Sequence, residues 1–264
     1  MKKISALLLA FLLFVLPVAA QAEESNSENS SLQSLSSQEI SYLKDSVGLN
    51  EEEIAAFPAE KLRTLIDNKA VKVSSKEESF GENSIKGEIT PQLNGNDITL
   101  QVLTFVQTSD KPGNKKFTLW GYFIWKKQPT FVFSDVMTIG VPQSVGFFLP
   151  TNGTNVTQHS HSFVWYDGQN EFTENKTVPH DFSANSGVAG KYNIRNNVVW
   201  QKGYIEQNIY IPSGKSGTTN VVLEYGHAVY TLVPSVGISG TTFSIGVSPS
   251  SKVETYKIIT ELKY

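Results

Sequence analysis

The hydrophobic period changes once along this chain, and that change limits its possible folds more than any other feature. Before about residue 70, apolar side chains recur at helical spacing; from about Ser79 onward they alternate. ITLQV at 98–102 and TTFSIGV at 241–247 alternate cleanly, the second placing Phe243, Ile245 and Val247 on one face. TNVVLEYGHAVY at 219–230 groups Val221, Leu223, Tyr225 and Val229. Val, Ile, Thr, Phe and Tyr dominate these runs, and turn signals such as DKPGN, RNN and SGKSG separate them. Asn94-Gly95 and Asp167-Gly168 read as tight hairpin turns. With no helical pattern between strands, the expectation is an antiparallel β-sandwich over 79–264, preceded by a short α-helical segment at 37–70.

The helical segment carries its own start and stop signals. Ser36 and Glu39 have capping-box spacing, and Ile40, Leu43 and Val47 follow on one face. Gly48 ends that helix as a left-handed cap. Asn50 opens a second helix with Glu51, Glu52 and Glu53 in its first turn, and Pro58 opens a third, striped by Leu62, Leu65 and Ile66. The acidic cluster therefore reads as helix-start electrostatics rather than a cation site. The stripes are narrow, so the segment is expected to be an appendage of the sandwich.

The first 22 residues fit a secretory signal peptide. Lys2 and Lys3 precede an apolar run, and Ala20-Gln21-Ala22 supplies the small residues for cleavage between Ala22 and Glu23. The apolar run is shorter than the roughly 20 residues of a membrane-spanning helix. Residues 23–36, EESNSENSSLQSLS, are polar and acidic and read as a disordered linker. An extracellular chain with no transmembrane span after processing is expected. The sequence contains no cysteine, so no disulfide supports the fold and no lipidation site follows the signal. The tail VETYKIITELKY carries no sorting motif, so release from the cell is expected.

Charge excludes some partners. The formal net charge of −3 becomes −5 once Lys2 and Lys3 leave, and residues 23–60 hold nine acidic side chains against Lys44 alone. No dense basic block points to nucleic acid. Neither GxxxxGK[ST] nor a strand-following GxGxxG occurs, so no nucleotide cofactor is expected, and no other cofactor has a motif here.

Candidate chemistry is sparse. His159 and His161 sit two apart in TQHSHSFVWYDGQNE, sharing a strand face with Phe163, Trp165 and Asp167. Two imidazoles at this spacing suit zinc if a third ligand arrives, but the apolar neighbours favour a structural pair and no metal. His227 shares its face with Leu223 and Tyr225, as a histidine at a core margin does. His180 and Asp181 are adjacent and point to opposite faces of an extended chain. Glu171, Glu174, Glu206 and Glu224 are loose carboxylate candidates for hydrolysis, each more simply a solvent-face residue. No catalytic residue emerges. FTLWGYFIWKKQPTFVFSDVMTI, 117–139, is apolar on both faces, as a doubly buried strand is; the sharper reading is an exposed aromatic platform.

LKDSVGLNEEEIAAFPAEKLRTLID, GYFIWKKQPTFVFSD and LEYGHAVY together resemble uncharacterised secreted β-rich proteins of Gram-positive bacteria. The resemblance implies an extracellular chain and assigns no catalytic residue. Three functions stay open: a secreted non-catalytic binding protein for an extracellular or cell-surface ligand, a β-pore-forming membrane-active protein, and a metal- or carboxylate-dependent hydrolase. The second rests on Ser/Thr-alternating strands such as SGTTFSIGVS at 239–248, which suit a pore wall on one face.

Overall fold

A computed structural model describes residues 35–81, 97–239, 244–248, 250 and 252–264. The signal segment with Ala22 and Glu23, the polar stretch 23–34 and the Asn94-Gly95 turn lie outside the described residues.

Helix α1 (Ser37–Tyr42) runs on through a wider π-type turn, Leu43–Val47, and is followed by α2 (Glu51–Ala56) and α3 (Ala59–Asp67). Its start is a full capping box: Ser36 Oγ accepts from the Glu39 amide, and the Glu39 carboxylate accepts from the Ser36 amide at 2.7 Å. Asn50 and Glu53 repeat the device on α2. Gly48 takes the left-handed cap at φ 87°. Pro58 occupies the position before the first helical residue of α3, one earlier than expected. Among the described residues no helix is long and apolar enough to cross a membrane.

Strands β1 to β13 are antiparallel throughout. They are β1 (Val71–Phe80), β2 (Ile98–Gln107), β3 (Asn114–Trp125), β4 (Ser134–Gly140), β5 (His159–Tyr166), β6 (Glu171–Lys176) and β7 (Asp181–Ser183), then β8 (Gly187–Asn193), β9 (Trp200–Pro212), β10 (Thr218–Ala228), β11 (Val236–Ser239), β12 (Ser244–Val247) and β13 (Val253–Lys263). One sheet has the order β1-β2-β3-β9-β5-β6, the other β13-β10-β4-β8-β7, and β11 pairs with β12 in a separate two-stranded sheet. The antiparallel β-sandwich with a preceding helical segment is therefore the fold. The first strand begins at Val71, earlier than the period change. It is an edge strand whose charged run Lys72–Glu78 hides the alternation and guards the edge against further pairing. The Asp167 turn is a four-residue loop, with Oδ1 accepting from the amides of Gln169 and Asn170 at 2.8 Å.

Between the sheets lies the main core, with Leu100, Leu119, Phe123 and Trp125 facing Ile139, Leu223, Tyr225 and Ile258. The sheets approach closely where glycine replaces a side chain: a Cβ on Gly121 would lie 2.3 Å from Leu223 Cδ1. The outer face of the six-stranded sheet carries a second core. There Leu43, Val47, Ile54, Phe57, Leu62 and Leu65 pack on Leu103, Phe105, Trp120, Tyr122 and Tyr204. The Phe57 ring lies 4.6 Å from Trp120 and 5.6 Å from Tyr204, whose hydroxyl donates to the Ala56 carbonyl at 2.7 Å. The helices are thus a third layer and not an appendage. The narrow stripes of each helix add up because all three face one sheet.

That layer also explains the doubly apolar strand. Phe117, Leu119, Phe123 and Trp125 fill the inter-sheet core while Trp120 and Tyr122 meet the helices, all of them buried. No exposed aromatic platform exists on β3.

Candidate functional site

The segment joining β10 to β13 is unlike the rest of the chain. Residues 229–251 contain no Asp, Glu, Lys or Arg in a run of 23. Within it, β11 and β12 pair Val236 with Val247 and Ile238 with Ile245, alternating with Gly237–Gly246 and Ser239–Ser244. Apolar pairs and small polar pairs therefore alternate along one hairpin. This hairpin rests on the outer face of the five-stranded sheet, where Val236 packs on Val136 and Ala189. Val247 is buried over Gly226; a Cβ there would come within 2.6 Å of Val247 Cγ1. Among the described side chains, Val236 and Val247 make this contact.

The hairpin rises from an end of the sandwich where four loops meet. Ile194 N–H donates to the Phe133 carbonyl at 3.0 Å, the Gln128 amide reaches the Arg195 carbonyl at 3.2 Å, and Val229 N–H donates to the Lys252 carbonyl at 3.0 Å. Val132, Phe133, Ile194, Leu232 and Val233 border a cleft of about 230 Å³ here. Tyr230, Leu232 and Val233 are exposed, at 53%, 52% and 39%, and Phe131 stacks on Phe133. The four loops, 126–134, 194–199, 229–235 and 248–252, hold Lys126, Lys127, Arg195 and Lys252 and no carboxylate. Lys127 reaches Asp97 at 3.4 Å and Arg195 pairs with Glu174, while Lys252 lies 4.4 Å over the Tyr230 ring.

The histidine pair lies far from this chemistry, on the inner face of β5. His159 Nε2 and His161 Nδ1 are 2.9 Å apart, and both side chains are buried. One of the facing nitrogens must carry the shared hydrogen, so both rings cannot be charged without placing two hydrogens between them. Burial lowers the His159 pKa to about 4. Burial, followed by the charges of His159, Lys176 and His180, lowers that of His161 to about 3. Among the described residues no three His, Asp or Glu side chains gather as a metal set.

The loose carboxylates are dispersed among ion pairs. Glu206 pairs with Lys61 at 2.8 Å, Glu174 with Arg195, and Glu224, on the other sheet, with Lys257 at 3.2 Å. His180 donates its amide to the Ala189 carbonyl beside β7, and burial lowers its side-chain pKa. A polar cluster that no sequence motif announces joins β4 to β10. Asp135, fully buried, accepts from the Ala228 amide at 2.9 Å and the Tyr225 hydroxyl, and meets His227 Nδ1 at 2.9 Å. Trp125 Nε1 donates to Tyr225 at 2.9 Å. None of the three clefts described is lined by Asp135, Tyr225 or His227. Only strand order brings Asp135 opposite His227, a separation of 92 residues.

No family model matches the chain, and no curated protein matches it. Among solved structures, similar ones include a pore-forming protein (TM-score 0.35, 8% identity, 74% of this chain and 92% of that one). Clostridium perfringens delta-toxin gives 0.34 at 8% identity over 74% of this chain and 90% of that one. The Clostridium perfringens NetB toxin in its membrane-inserted form gives 0.33 at 8% over 74% and 97%. Overlap this loose assigns nothing to the chain.

Proposed function

We propose that the chain is a secreted membrane-active protein of the β-pore-forming type, exported by cleavage between Ala22 and Glu23. In this reading the loop end meets an anionic lipid surface, and the β11–β12 hairpin leaves the sandwich to enter the bilayer. The observation that carries the reading is the uncharged run 229–251 with its alternating apolar and Gly/Ser pairs. Lipid has no hydrogen-bond partners for backbone groups, so a hairpin can enter only by pairing in a closed set of strands, which requires several copies. A spanning strand takes about 9–11 residues. The run is long enough for two such strands and a turn, provided Tyr230–Val233 follow the hairpin inward. Lys126 and Lys252, which the loop end does not pair with a carboxylate of its own, and its exposed Tyr230 and Leu232 suit the first contact, where each Lys near an anionic surface contributes about 1 kcal/mol.

The test uses the processed chain, whose first residue N-terminal sequencing should return as Glu23. Dye-filled vesicles containing about one third anionic lipid should leak when it is added. The double variant Gly226→Cys and Val247→Cys introduces the only two thiols, placed to tie the hairpin to β10 when oxidised. Leakage should stop on oxidation and return on reduction. Absence of leakage from the unaltered chain, or leakage from the oxidised variant, overturns hairpin insertion.

A further inference from the structure

The helical layer stops short of covering its sheet. Phe57 closes the aromatic cluster of Trp120, Tyr122 and Tyr204, and beyond it a groove of about 680 Å³ runs over β1, β2, β3 and the start of β9. The register places Thr99 beside Ile124 and Ile124 beside Lys202 on one row, with Gln101, Tyr122 and Tyr204 on the row behind. Tyr122 and Ile124 form the floor and Trp200 a wall. Glu52 on α2 and Glu77 on β1 supply carboxylates, while Lys126 and Lys202 supply ammonium groups. Lys202 also lines a neighbouring cleft of about 360 Å³ that continues along β5 and β6 beneath α3.

The contents of the groove restrict what fits it. Two carboxylates balance two ammonium groups, so a simple ion finds no net field. An acyl chain would bury four charged groups against hydrocarbon, at a cost of several kcal/mol. A peptide recognised in extended form needs an open strand edge for its backbone, and this groove lies on a sheet face with side chains only. Hydroxyl groups both donate and accept, and they match a lining that alternates Lys donors with Glu, Thr and Tyr acceptors. The Trp200 wall then meets the apolar face of a sugar ring.

We infer that this groove is a binding site for a short neutral oligosaccharide, held against Trp200 over the Ile124 floor, with Glu77 and Lys126 on its hydroxyls. Trp200 is held in place by Tyr166, stacked at 5.9 Å, and by Lys202 at 4.8 Å over its ring, so the wall is set before a ligand arrives. Burial raises the Glu77 pKa against the opposing charge of Lys126. The groove borders the loop end, sharing Lys126 and Val199 with it, but none of its lining belongs to the β11–β12 hairpin, and sugar binding does not depend on membrane insertion.

Calorimetric titration of the processed chain with maltotriose, cellotriose and chitotriose tests the site. At least one trisaccharide should bind saturably. Trp200→Ala should weaken that binding at least tenfold, and Trp200→Phe should keep part of it. Glu77→Ala, on an exposed edge strand, should also weaken it at least threefold with an unchanged melting temperature. Both variants should leave leakage from pure phospholipid vesicles as it was, which separates this site from the membrane reading. Failure of all three sugars to bind saturably overturns the inference. So does binding indifferent to Trp200→Ala and Glu77→Ala, or tighter binding of an uncharged tripeptide than of any sugar.

Discussion

His227 and Asp135 are hydrogen-bonded inside the sandwich, with Nδ1 2.9 Å from Oδ2 and side chains 2% and 0% exposed. Burial alone would lower the His227 pKa; the charge and hydrogen bond of Asp135 outweigh it, and the net shift is upward. The other three histidines shift downward. One protein therefore holds imidazoles that respond to acid in opposite directions.

Asp135→Asn should cost about 3–5 kcal/mol, because it leaves a charged or unpaired imidazole in the core. The sign of its pH dependence is fixed by the raised pKa. His227 contributes fully below its unfolded value near 6.5, and that contribution is lost as pH rises through the folded value. Urea unfolding at pH 6 and pH 9 should show a smaller gap between wild type and variant at the higher pH. An equal gap would remove the ion pair from the account.

The His159–His161 pair should make the protein acid-labile. Their folded pKa values of about 4 and about 3 lie below the unfolded value, so stability falls as pH drops from about 6.5 toward 4. The slope approaches about 1.4 kcal/mol per pH unit for each proton taken up on unfolding, and it belongs to the pair rather than to either ring. Denaturant midpoints at pH 7, 5.5 and 4.5 should show the loss. The double change His159→Gln and His161→Gln should flatten it; an unchanged slope would assign the acid response elsewhere.

Phe57→Ala should cost about 3–5 kcal/mol, the range for an aromatic ring removed from a packed core. Its ring touches Trp120, Tyr122 and Tyr204 at once. Removing the chain up to Lys69 should go further and abolish a single cooperative thermal transition, since Phe105 and Trp120 would face water. A truncated chain that melts cooperatively would return the helices to the status of an appendage.

Three glycines should rank by what a methyl group would meet. At Gly140 a Cβ would lie 1.8 Å from the Ser186 carbonyl oxygen, which is backbone and cannot turn away. At Gly203 it would meet the Phe123 ring at 2.2 Å, and at Gly214 nothing lies within 4 Å. Alanine at 140 should therefore destabilise most, alanine at 203 by roughly 1–3 kcal/mol, and alanine at 214 by less than about 0.5 kcal/mol. Thermal melts of the three variants give the order directly.

The sequence by itself determined the local elements. Alternation in 98–102 and 219–230 sets which side chains share a strand face, and Ser36, Gly48 and Asn50 fix helix ends, because these are decided by neighbours a few residues away. It also marked His159 and His161 as strand residues beside Phe163. Tertiary structure decided everything that depends on strand order. Placing β9 between β3 and β5 puts Tyr204 beside Tyr122 and builds the floor on which Phe57 and the helices settle. Setting β4 beside β10 brings Asp135 to His227, and the four-loop end gathers Phe133, Ile194 and Leu232. Each joins residues tens of positions apart, and a periodic pattern states which face a residue takes but never which strand lies opposite.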